Sequence, residues 1–363
     1  MRYSLQLGKV FGIKVQIHWT FLILIGWIVF SNLRSGASFT EVLWSVLFVL
    51  ALFLCVTLHE FGHALAAKRF GIVTEDITLL PIGGLARLRS IPEKPAEELI
   101  VAIAGPLVNV VIFALLYPLV HAVTDVTTTI QQMSSISSSN FLFNLMFINL
   151  WLAVFNLIPA FPMDGGRVLR ALLSFKLERH KATKIAARIG QILAIGFVFL
   201  GFYTNPFLIF IGLFIFLGAQ AESEYTQAQS FMKGYTIGDV VMRHYQTISV
   251  DAKVEEAVRM LLNGQCKSFL VMDGQKVAGT LSHDEIIKAL STEGKEASVA
   301  QVMNKDLIPL HVNMPLEAAL PLIQQHKVLM PVYANHQLVG TLDADNILEF
   351  IMIKNAEKKL LDE

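Results

Sequence analysis

Leu54-Cys-Val-Thr-Leu-His59-Glu60-Phe61-Gly62-His63-Ala-Leu-Ala-Ala-Lys-Arg-Phe70 sets two histidines and a glutamate inside an otherwise apolar run. On a helix, residues four apart stand about 40° apart around the axis, so His59 and His63 reach one metal ion. Glu60 then lies beside the metal's open position, where it can take a proton from water. Imidazoles and carboxylates at membrane depth are costly and are kept for function.

Composition sets the class. Hydrophobic residues make up 54% of the 363, charged residues only 16%, and mean hydropathy is +0.56. These values lie beyond the soluble globular norm and imply a protein resident in a lipid bilayer. Twenty-nine basic and 29 acidic side chains cancel, which gives no electrostatic basis for a nucleic-acid partner. Cys55 falls in an apolar span and Cys266 in a polar region, so no disulfide is expected. The N-terminus opens on alternating Ile13, Val15 and Ile17, a strand pattern rather than a cleavable signal.

Six apolar spans are expected: His18–Leu33, Glu41–Ala66, Leu99–Val123, Phe141–Leu157, Ala186–Tyr203 and Pro206–Gly218. Several approach the ~20 residues that cross a bilayer core. Lys68, Arg69, Arg87, Arg89 and Lys94 follow the second span. Arg167, Arg170, Lys176, Arg179, Lys181 and Lys184 follow the fourth, whereas 124–140 carries no Lys or Arg. By the positive-inside rule both termini are cytoplasmic. His59 then stands about 14 Å below Lys68, inside the bilayer but toward the cytoplasm. Between spans two and three, Ile77–Leu88 with Pro81, Gly83 and Gly84 reads as a membrane-associated hairpin.

Beyond Glu222 the chain repeats itself with an offset of about 61 residues. Val241-Met242 recurs as Val302-Met303, and Gly279-Thr280-Leu281 as Gly340-Thr341-Leu342. Each copy reads helix, strand, strand, helix. The expected fold is therefore a polytopic α-helical membrane domain of six spans, 1–226, followed by a soluble α/β module with copies at 230–291 and 298–355.

Two histidines leave a zinc site short of its third protein ligand. Asn156-Leu-Ile-Pro159-Ala-Phe-Pro162-Met-Asp164-Gly165-Gly166 ends the fourth span. Its prolines and glycines break the helix and let a lone carboxylate turn back into the bundle. Asp164 before Gly-Gly also suits a helix N-cap, but beside the His-Glu-x-x-His string the ligand reading prevails.

Taken together, His59-Glu60-Phe61-Gly62-His63, Gly105-Pro106-Leu-Val-Asn109 and Asn156…Pro159…Pro162-Met163-Asp164-Gly165 resemble the site-2 protease family of intramembrane zinc metalloproteases. The resemblance covers roughly the first 225 residues. Met163 stands where leucine is the usual neighbour of the aspartate. The repeated part resembles a tandem pair of cystathionine-β-synthase-type (CBS) domains. The first resemblance implies one Zn²⁺ per chain held by His59, His63 and Asp164. It makes Glu60 the general base and later the acid for the leaving amine. Asn156 is a donor to the substrate carbonyl or oxyanion, or else an interhelical hydrogen-bonding residue. Asn109 reads as structural, with Gly105 and Pro106. The substrate implied is a transmembrane or membrane-associated segment that must unwind before cleavage; the 77–88 hairpin can hold it by strand addition, or else serves as a structural lid or a plain cytoplasmic connection.

The second resemblance implies an adenine nucleotide at the CBS module. Its Ser/Thr-x-x-Asp string reads Ser282-x-x-Glu285 in the first copy and Asp343-x-x-Asn346 in the second. A homodimerisation module without ligand is the competing reading. Of two other classes, a CBS-regulated membrane transporter is disfavoured because the spans show neither an internal repeat nor extra buried charges, and a catalytically silent scaffold because His59, Glu60, His63 and Asp164 are all present.

Overall fold

A computed structural model describes residues 4–81, 83–88, 92–123, 136–264, 267–319, 322 and 328–361. Cys266, His326 and most of the 124–140 connection lie outside them. The chain divides into two compact units, Met1–Thr226 and Gln227–Glu363.

In the first unit, helix α1 spans Thr20–Arg34 and α2 spans Phe39–Arg69. Ser38 starts α2 through a capping box with Glu41, and Lys68 and Arg69 occupy its last turn, where they complement the helix dipole. Helix α3 (Pro95–Val123) opens on proline with Glu97 and Glu98 in its first turn. Then come α4 (Phe141–Asn156), the short α5 (Asp164–Ser174), α6 (Arg179–Tyr203) and α7 (Phe207–Met232). Among the described residues four helices, α2, α3, α6 and α7, are long and apolar enough to cross a membrane. At 15 and 16 residues, α1 and α4 reach only about 22–24 Å at 1.5 Å per residue, short of a ~30 Å hydrocarbon core. The expectation of six spans thus resolves into four long helices and two shorter apolar ones.

The outward faces of these helices are apolar too. Trp27, Phe30, Ile192, Phe199, Phe202, Phe210 and Phe214 are exposed. A helix apolar around its whole circumference is soluble only in lipid or in a larger core.

Strands β1 (Ser4–Val10), β2 (Ile13–His18), β3 (Thr74–Leu80) and β4 (Gly83–Leu88) form one sheet in that order. Both hairpins are antiparallel, and β2 joins β3 in parallel, Val15 opposite Ile77. Ile13, Val15 and Ile77 bury against Phe61 and Ala64 of α2, so the sheet lies on the helix that carries the histidines. Across the second hairpin Asp76 accepts from Arg87 and from the Thr78 hydroxyl, which satisfies a buried carboxylate.

Two α/β repeats build the second unit. The first holds β5 (Thr247–Ser249), α8 (Val254–Asn263), β6 (Ser268–Asp273), β7 (Lys276–Ser282) and α9 (His283–Thr292). After the short α10 (Val299–Val302), the second shows β8 (Leu310–His311), β9 (Met330–Ala334), β10 (Gln337–Leu342) and α11 (Ala344–Leu361). A short strand, β5 or β8, precedes the helix–strand–strand–helix pattern in each copy and pairs in parallel with the next strand. The repeated pieces meet crosswise. Thr280 bridges Asn304, and Met242 bridges Thr341. A Cβ on Gly279 would stand 2.6 Å from Asn304 O, and one on Gly340 would stand 2.3 Å from Met242 O. That close approach explains the glycine at this position in both copies.

Candidate metal centre

Helix α2 presents His59 and His63 one turn apart, and both imidazoles are buried. Their Nε2 atoms are 3.1 Å apart, and Asp164 Oδ2 lies 3.2 Å from the first and 3.1 Å from the second. Among the described residues this is the one group of His, Cys, Asp and Glu side chains placed to hold a metal.

The hydrogen bonds of the two rings set which nitrogen of each faces the cluster. His59 Nδ1–H donates to Asn109 Oδ1 at 2.5 Å, and His63 Nδ1–H donates to the Val101 carbonyl at 2.7 Å. In the neutral rings both Nε2 atoms then offer lone pairs toward the same space as a carboxylate oxygen, and three such donors converging on one point suit a cation between them. Ligand bonds of about 2.0–2.1 Å in a tetrahedron put donor atoms about 3.3 Å apart. The observed triangle fits a zinc ion with one position left open.

Several glycines make room for this geometry. A Cβ on Gly62 would fall 2.6 Å from Ala104 O, so α2 and α3 approach backbone to backbone. A Cβ on Gly105 would fall 2.2 Å from His63 Nε2, within the space a metal needs. Pro106 follows inside the helix; it removes one backbone donor and permits a local bend there. On the far side, Gly165 and Gly166 let Leu157–Phe161 fold back over the start of α5. Side chains on them would meet Ile158 O at 2.2 Å and Phe161 N at 2.6 Å.

Asp164 begins α5, and no side chain caps that helix. Its carboxylate is turned toward the histidines and does not cap the helix. Asn109, which the sequence placed among structural residues, is the hydrogen-bond partner of His59. Its amide donates to Asn149 Oδ1 at 2.9 Å, and Asn149 donates to Leu145 O at 2.8 Å. The chain of amides fixes the ring of His59 and which nitrogen carries its proton. A buried Asn four residues after Gly105 was the only sign of this in the sequence.

Glu60 is half-buried on the face next to His59. Strand β4 passes directly over it: a Cβ on Gly84 would stand 2.7 Å from Glu60 Cγ. Asn156 closes α4, eight residues before Asp164, and its half-buried amide makes no side-chain hydrogen bond among the described residues. In the second unit, Ser282 and Glu285 form the capping box of α9, and Asp343 accepts from the Asn346 backbone N–H.

Residues 47–197 match the family model for Peptidase family M50, and residues 237–292 and 299–353 match the CBS domain. Over its whole length the chain is 34% identical to a zinc metalloprotease of Methanocaldococcus jannaschii, itself covered completely. The chain belongs to peptidase family M50, the site-2 proteases. It is 28% identical to a putative zinc metalloprotease of Synechocystis, over 98% of this chain and 97% of that one. A solved site-2 protease from Methanocaldococcus jannaschii is 39% identical and covers 61% of this chain and 95% of its own, with a TM-score of 0.45. As a member of M50 carrying tandem CBS domains, the protein is a membrane metalloprotease, and the donor set described above suits the zinc of that family.

Proposed function

We propose that this site-2 protease cleaves a transmembrane or membrane-associated segment near the cytoplasmic face, with one zinc ion per chain held by His59, His63 and Asp164. The convergence of two bare Nε2 atoms and one carboxylate oxygen within 3.2 Å carries the reading. When bound, the metal polarises the scissile carbonyl and acidifies the attacking water. Glu60 takes the proton of that water and delivers it to the leaving amine. Asn156 is the proposed donor to the substrate carbonyl. Asn109 and the Val101 carbonyl hold the two imidazoles in place.

Strand β4 is an edge of its sheet and runs over Glu60, which supports strand addition as the way an unwound substrate is presented. An extended peptide paired to β4 has its amides fixed by main-chain hydrogen bonds, away from the helical pairing that shields them from attack. In the membrane we place six spans, α1 and α4 included, and both termini in the cytoplasm, on the Lys/Arg asymmetry of the loops.

For the CBS module we propose homodimerisation. Ile287, Leu348, Met352 and Ile353 are exposed on α9 and α11, which supports a helix-mediated contact. An adenine nucleotide, if bound there, would set its ribose against Ser282 with Glu285 and Asp343 with Asn346, the pairs that open α9 and α11.

Cleavage of a membrane peptide by the reconstituted full chain tests the activity. The wild type cleaves; Glu60→Gln keeps its zinc and does not. Equal cleavage by Glu60→Gln contradicts the assignment of the base.

A further inference from the structure

Arg170 is 1% exposed and is among the largest fully buried side chains of the chain. No step assigned to the site uses its charge. Its Nε donates to Glu98 Oε1 at 2.8 Å, and its Nη1 pairs with Glu222. The guanidinium carbon lies 5.0 Å from the ring centre of Phe161. Glu98 also takes Arg179 at 3.4 Å. A cation at this depth needs such partners, because an unpaired buried charge is costly.

The partners are distributed in a telling way. Arg170 stands six residues beyond Asp164 on α5, about 120° around the axis and about 9 Å along it. Phe161 lies three residues before Asp164, in the loop folded over the helix start. Glu98 lies one turn before Val101 on α3, and the Val101 carbonyl is what orients His63. One planar fork thus grips the chain on both sides of Asp164. It also ties that chain to the turn of α3 that fixes His63. Glu222 supplies the last tie from α7.

We propose that Arg170 is a positioning residue for the metal site: through Glu98, Glu222 and Phe161 it sets the separation of Asp164 from His63. The inference rests on the metal reading of His59, His63 and Asp164. A lysine keeps the charge but cannot span two carboxylates in fixed directions, so charge and geometry are separable.

The test measures the zinc dissociation constant of the full chain in detergent by competition with a chelator. Thermal unfolding and the kcat and KM for a membrane peptide are measured alongside. Arg170→Lys is expected to weaken zinc about tenfold, the lower end of what outer partners of a metal ligand contribute. Glu222→Gln is expected to weaken it by a smaller factor in the same direction. The double variant should be no worse than Arg170→Lys, since both act through one contact, and kcat should fall with KM unchanged. The Glu222 side chain is 26% exposed, so Glu222→Gln decides the matter if Arg170→Lys fails to fold. Folded variants that bind zinc as tightly as the wild type overturn the positioning role and leave the metalloprotease reading standing. A wild type that binds no zinc overturns both.

Discussion

Gly105 on α3 faces His63 on α2 so closely that an added methyl would lie 2.2 Å from Nε2, and 2.7 Å from Nε2 of His59. The glycine is thus a wall of the metal site. Gly105→Ala should leave a chain that inserts and folds yet has lost its zinc, read as metal per protein in the purified protein. Zinc retained at wild-type level would mean that the imidazoles point elsewhere.

Asn109 accepts from His59 and is itself held by Asn149. Asn109→Ala should lower zinc affinity about 10- to 100-fold, as loss of a ligand's outer partner does. Asn109→Asp keeps an acceptor for Nδ1–H but gives up the donor to Asn149, so it should lose less affinity than Asn109→Ala. Chelator competition distinguishes the two, and equal loss in both variants would rule out an acceptor role.

Gly84 on β4 touches Glu60 rather than a ligand. Gly84→Ala should therefore leave zinc content intact while displacing the base. A shift of about 1 Å at a reacting group lowers kcat about 100-fold. Steady-state cleavage of a membrane peptide, alongside metal analysis, checks it. Unchanged kcat would show that the strand yields instead.

Topology is open to a direct reading. A reporter fused after Glu222 should behave as cytoplasmic, and one inserted within 124–140 as external, as the loop charges require. The reverse pattern would overturn the orientation.

Much of this was legible in the sequence because the chemistry is local. His59, Glu60 and His63 lie within one helical turn, and the repeat at 61 residues announces the second unit. Asp164 stands out as a lone acid after a helix-breaking run. What stayed hidden depends on distant pairing. The parallel join of Val15 to Ile77 has no local signature, so the sequence shows the sheet only as separate strand pieces. Asn109 and Arg170 look like ordinary packing and interfacial residues until α3, α4, α5 and α7 are brought together. Span number is not legible for another reason: α1 and α4 are apolar but short, and composition alone does not fix how short helices lie in a bilayer.

Zinc analysis of the purified full chain tests the central claim most directly, with wild type, Glu60→Gln and Asp164→Ala compared side by side. Wild type and Glu60→Gln should each carry about one zinc per chain, the stoichiometry of a three-ligand catalytic site, and Asp164→Ala should carry little. Full zinc occupancy in Asp164→Ala would contradict the site as drawn.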